Sequence, residues 1–311
     1  MNTRWALAGL VLLALTAPLS AVELGDPAPA LQISEWVKGA PVDVTKKDRV
    51  YVVEFWATWC GPCIQSIPHV TEMQKKYGDK VTFIGVSSED PHNNLEDVKK
   101  LVDAKGDKMA YTVAFDDGRK TYEAYMGAYS VGGIPTAFVV DQAGRMVWHS
   151  HPMQLEETLD QVLAGKFDLA AAKAKKQDEA RLKKFLDQYH ELVMSADKEQ
   201  EAQELGARIL ELGADNDQLL NAIAWNILTD ENIVYRDKAL ALKAAELANK
   251  KSGGEHAGVL DTYALALYEN GKRDEAIKTQ EKALKIAKQS EEWKSNIAEF
   301  EERLERFKKG E

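Results

Sequence analysis

Cysteine is scarce in this 311-residue chain: there are two, Cys60 and Cys63. Two cannot staple a small disulfide scaffold or complete a four-cysteine zinc site. Positive charge is also short, with 40 Lys and Arg against 50 Asp and Glu and a formal net charge of −10. A general nucleic-acid binder needs a basic face for the phosphates, so that class of partner is excluded. Beyond the first 21 residues no apolar run approaches the length of about 20 residues that a membrane helix needs. What is present is globular material, 45% hydrophobic and 29% charged. The length suits about two domains at roughly 150 residues each.

Residues 1–21 carry Arg4, an apolar run from Trp5 to Ala17, and a small, turn-prone end in Pro18, Ser20 and Ala21. That order reads as a signal peptide cleaved after about Ala21. The expectation is an exported protein, best suited to a bacterial periplasm; an uncleaved segment would leave it membrane-anchored.

From Val22 to Phe167 the pattern alternates strand and helix. Short apolar, β-branched runs predict strands at Val50–Trp56, Val81–Ser87, Tyr111–Phe115, Thr136–Asp141 and Arg145–Ser150. Helical spacing covers Cys60–Tyr77 (with Pro68 inside), Leu95–Ala104, Lys120–Met126 and Leu155–Ala164. Such alternation predicts a layered α/β sheet. After Phe167 the strand pattern stops. Residues 168–178 read as an Ala/Lys-rich helical linker, and residues 179–311 as an all-α domain.

The helical part carries a weak repeat. Leu220, Ile223, Ala224 and Ile227, then Ala241, Ala245 and Ala248, are echoed by Leu260, Tyr263, Ala264 and Leu267, then Ala276, Gln280 and Ala283. These spacings resemble tetratricopeptide repeats, with Glu292–Lys309 as a closing helix. The end-of-repeat proline of that family is absent. An ordinary bundle with alanine seams is the other reading.

One motif carries chemistry. Trp59-Cys60-Gly61-Pro62-Cys63 follows a buried strand and opens a helix. A helix N-terminus has unpaired N–H groups and the positive dipole end, which favour a thiolate on Cys60. Cys60, taken as the exposed sulfur, would attack a disulfide; Cys63, one turn in, would resolve the mixed disulfide. Gly61 and Pro62 set the tight geometry. A half zinc site has no second ligand pair, since His69 is nearest at six residues beyond Cys63. A purely structural disulfide across so short a loop would constrain little of the unfolded chain. His149 and His151 could share a strand face without a third ligand, so no metal is expected, nor any organic cofactor.

Phe55-Trp56-Ala57-Thr58 ahead of that motif, Ile67-Pro68 after it, Gly133-Ile134-Pro135-Thr136, and Leu24-Gly25-Asp26-Pro27-Ala28-Pro29 together carry a resemblance. Residues 22–167 resemble the thioredoxin-fold, exported TlpA/ResA-like class. The fold implied is a central mixed sheet flanked by helices, followed here by a tetratricopeptide-like helical domain. The resemblance implies that Pro135 is a cis-proline facing the two sulfurs and that Ile134 offers its backbone to a docking peptide. Trp59, Gly61, Pro62 and Ile134 would form the surface that meets the client. Glu54 matches the buried acid of thioredoxins, which takes the proton of the second cysteine; many exported members carry an amide there, so Glu54 departs from their pattern. Burial would raise its pKa toward a useful range.

The class implies a thiol–disulfide oxidoreductase acting on client protein thiols and disulfides. A tilt toward reduction would require a membrane electron donor. An oxidant or isomerase, and a binding module in which the helical repeats hold a protein partner and the redox fold is accessory, stay open beside it.

Overall fold

The computed structural model describes residues 22–47 and 49–310; the segment read as a signal peptide lies outside the described residues. The chain divides into two compact units between Lys173 and Ala174.

The first unit is built on six strands: β1 (Ile33–Lys38), β2 (Val50–Trp56), β3 (Val81–Ser87), β4 (Thr112–Asp116), β5 (Thr136–Val140) and β6 (Met146–Ser150). Their order across the sheet is β1-β4-β3-β2-β5-β6. The pairs β2–β3 and β3–β4 are parallel, while β1–β4, β2–β5 and β5–β6 are antiparallel. Parallel neighbours require crossovers. These are α1 (Gly61–Tyr77) and α2 (Leu95–Lys105). The five expected strands, the mixed sheet and three of the four expected helices are present. β1 was not expected, because its residues ISEWVK form a half-buried edge strand without an apolar run.

Every residue of β2 is buried. This follows from its central place, with apolar layers on both faces. Val50, Val52 and Trp56 join α1 residues Ile67 and Val70 in one core. Tyr51, Val53 and Phe55 face the other, with Tyr125 and Phe138. The region anticipated as one helix over 120–126 is instead a single turn, α3 (Lys120–Tyr122), running into a π-helical turn at Glu123–Gly127. The turn between β5 and β6 is held by Asp141, whose Oδ1 accepts from Ala143 N at 3.0 Å and Arg145 N at 2.9 Å. After β6 come α4 (Leu155–Leu163) and α5 (Leu169–Val193), and the boundary between the units falls within α5. Residues 169–178 of the anticipated linker are the first part of α5.

The second unit continues with α6 (Glu199–Leu212), α7 (Asp217–Thr229), α8 (Lys238–Lys251), α9 (Ala257–Glu269), α10 (Arg273–Ala287) and α11 (Ile297–Lys309). Side chains of Asn216, Asp237 and His256 cap α7, α8 and α9 by accepting from the N–H three residues on. Ala241, Ala244, Ala245 and Ala248 are fully buried, as are Ala276 and Ala283. Small side chains at these seams let helices approach closely. Among the marked first-helix positions, Leu220, Ala224, Leu260, Ala264 and Leu267 are likewise buried.

Candidate functional site

β2 delivers the chain to the cysteine pair. Past Trp56 the backbone turns, and Cys60 becomes the N-cap of α1. Its Sγ accepts from the Cys63 N–H at 3.2 Å. The two sulfurs form a disulfide with Cα atoms 5.2 Å apart. Pro62 sits in the first turn, where a missing N–H costs no helix bond. The Ile134–Pro135 peptide bond is cis. The carbonyl oxygen of Ile134 stands 3.7 Å from Cys60 Sγ. Residues 74 positions apart in sequence thus meet at the sulfur.

Cys60 is not the exposed sulfur that the sequence suggested: it is 4% exposed, against 0% for Cys63. The Ile134 carbonyl and the apolar core that includes Trp56 and Ala57 account for the cover. The exposed groups of the motif are Trp59, at 55%, with Gly61 and Pro62. The Trp59 ring is anchored at its edge: its indole Nε1 donates to Asp90 Oδ2 at 3.0 Å.

Asn93 ties down the approach to the cysteines. It is 1% exposed. Its Oδ1 accepts from Thr58 N at 2.9 Å and Thr58 Oγ1 at 2.8 Å. Its Nδ2 donates to Ser87 Oγ at 2.9 Å and Ser88 O at 2.7 Å. One side chain from the loop after β3 thereby fixes the residue two before Cys60.

Glu54 lies in the middle of β2, 2% exposed, and faces α1. Ser66 Oγ donates to its Oε1 at 3.1 Å. The Tyr111 hydroxyl stands near the carboxyl, short of full hydrogen-bond geometry. Burial pushes the Glu54 carboxyl up to about 7; Ser66 and Tyr111 pull it partly back. Tyr111 in turn is held well above the usual phenol range, by burial first and by the Glu54 charge second. Glu54 Oε2, Trp56 Nε1 and Tyr111 Oη are buried without a hydrogen-bond partner among the described residues. Gly85 is the register partner of Glu54 on β3. A Cβ there would sit 3.0 Å from both Trp56 Nε1 and Tyr111 Cε2. The two rings therefore close over the backbone beside the acid.

The structure brings together Cys60, Cys63, Ile134 and Pro135, with Glu54 buried behind them. Ser66, Asn93, Asp90 and Tyr111 were not singled out from sequence. Serine, asparagine and aspartate in loops and first turns carry ordinary local meanings, and only the strand register reveals what they touch.

A cysteine pair at a helix N-terminus, in a mixed sheet of thioredoxin type, defines a protein that exchanges thiols and disulfides. The family model and the sequence relatives agree. The redoxin family model matches residues 23–163. Protein FixW of Rhizobium leguminosarum is 28% identical over 151 residues, 47% of this chain and 68% of that protein. Thiol-disulfide oxidoreductase ResA of Bacillus thuringiensis (strain Al Hakam) is 30% identical over 141 residues, 45% of this chain and 76% of that protein. A solved thiol:disulfide interchange protein of the thioredoxin family from Chlorobium tepidum TLS has TM-score 0.38 and 26% identity, covering 46% of this chain and 99% of that one. The chain belongs to the ResA family of thiol-disulfide oxidoreductases. The family match ends at residue 163, before the helical unit begins.

Proposed function

We propose that the protein is an exported reductase of client disulfides, with its helical unit presenting or selecting the client. The carrying observation is the approach of the Ile134 carbonyl to Cys60 Sγ at 3.7 Å, beside the cis-proline. A client strand laid along Ile134 would bring its own disulfide to that sulfur. In the reduced enzyme the Cys60 thiolate attacks the client disulfide. A Cys60–client S–S bond forms, and one client thiolate leaves. Glu54 takes the Cys63 proton, and the Cys63 thiolate attacks Cys60 Sγ. The Cys60–Cys63 disulfide forms and the second client thiolate leaves, to be protonated by solvent. Two electrons pass from enzyme to client. A carboxyl near 7 suits that proton transfer at neutral pH.

The apolar run at residues 5–17 supports export, and the resemblance to the TlpA/ResA-like class supports the reducing direction. Recharging would then require a membrane electron donor, because an exported compartment is oxidising. The paired, alanine-seamed helices of the second unit support a tetratricopeptide-like stack that holds a protein partner.

Trapping tests the assignment. Cys63→Ser should accumulate a Cys60–client mixed disulfide, and Cys60→Ser should accumulate none. A chain lacking residues 179–311 should still reduce insulin but turn over a native client more slowly. Equal turnover of that client would remove the role given to the helices.

A further inference from the structure

The hydroxyl of Ser66 stands between the acid and the second cysteine. Ser66 is 2% exposed, on the first turns of α1. Its Oγ is 3.1 Å from Glu54 Oε1 and 2.9 Å from the carbonyl oxygen of Cys63. A serine hydroxyl has one proton and two lone pairs, and a carbonyl can only accept. Both contacts cannot be donations at once, so the charge on Glu54 decides the direction. With Glu54 ionised, Ser66 donates its hydrogen bond to the carboxylate. With Glu54 protonated, the acid donates to Ser66 Oγ, and Ser66 donates to the Cys63 carbonyl. No other residue makes a full hydrogen bond to this carboxyl among the described residues.

We infer that Ser66 is a positioning residue for resolution: it holds Glu54 in both charge states and passes the acid's change of state to the backbone of Cys63. The inference rests on the reading of Glu54 as the proton acceptor of Cys63. In that step the Cys63 S–H bond breaks, the Glu54 O–H bond forms, and Ser66 reverses its hydrogen bond without losing its proton.

α1 contributes Ser66 as hydrogen-bond partner, and β3 and β5 contribute Gly85 and Ala137 as register partners. Among the described residues, Tyr111 is the one titratable side chain that acts on the carboxyl, and no charged side chain does so. A change at Ser66 should therefore be read directly in the titration of Glu54.

The test uses the full oxidised chain with ¹³C-carboxyl-labelled glutamate, the Glu54 signal being assigned by its loss in Glu54→Gln. In Ser66→Ala the charged form loses its donor, so the midpoint should rise from about 7 by about one pH unit, a tenfold change in the proton constant. The pH midpoint for resolution of the mixed disulfide should rise with it. Ser66→Thr keeps the hydroxyl and should titrate as the native protein does. An unchanged midpoint in Ser66→Ala, or an equal rise in both variants, would overturn the inference. Because the carboxyl signal is read without turnover, that failure is separate from failure of the Glu54 reading. The latter would show as an unchanged pH profile of resolution in Glu54→Gln.

Discussion

Cys60 Sγ and the Ile134 carbonyl oxygen lie 3.7 Å apart, although 74 residues separate them in sequence. The contact joins the helix N-cap that carries the sulfur to the loop that carries the cis-proline. It also explains why a sulfur expected at the surface is nearly covered. The Ile134 backbone and the cis-proline thus border the reactive sulfur.

Glu54 makes stability depend on pH. Its folded value of about 7 lies above the 4.5 of the free side chain, so the folded state binds the proton more tightly. The stabilisation from its proton is complete below about pH 4.5 and is lost as pH rises through about 7. Glu54→Gln removes that loss. In denaturant unfolding of the oxidised protein, the variant should exceed the native chain by up to about 3 kcal/mol at pH 8 and by little at pH 4. Parallel pH curves for the two proteins would contradict the burial argument.

Asn93→Ala removes the acceptor of Thr58 N and Oγ1 and frees buried groups of Ser87 and Ser88. Leaving buried polar groups unpaired costs about 1–3 kcal/mol each, with partial relaxation reducing the sum. The expected loss is about 2–3 kcal/mol, together with slower insulin reduction as the Thr58–Cys60 segment loosens. Full stability with full activity would show that the loop does not position the pair.

At Gly85 the objection to a side chain is space. A methyl there would press the Trp56 and Tyr111 rings, each at 3.0 Å, and both are buried. Rings packed in a core yield less readily than the end of a flexible chain. Gly85→Ala should destabilise by about 1–3 kcal/mol, read by thermal or denaturant unfolding. A neutral result would mean that the core beside Glu54 is looser than its geometry implies.

Local signals in the sequence were the most legible. Buried strands such as VYVVEFW, the helix opening at Gly61, and the cysteine pair all follow from spacing and composition. β1 escaped because an edge strand half open to solvent has no continuous apolar run to reveal it. The π-helical turn at Glu123–Gly127 escaped because its residues are compatible with an ordinary helix. Glu54 stood out as a charge within an apolar strand. Its partners did not, because Ser66 and Tyr111 reach it only through the packing of α1 and the β3–β4 edge on β2. The placing of Pro135 beside Cys60 came from resemblance, not from the residues alone.

The proposed function requires the Cys60–Cys63 pair to donate electrons to clients. The most direct measurement is its equilibrium reduction potential, in the full chain, against glutathione or dithiothreitol buffers. A reductase should show a value near or below about −250 mV, in the range of reducing dithiols. A value of about −120 to −180 mV would place the pair with oxidants and isomerases and would contradict that function.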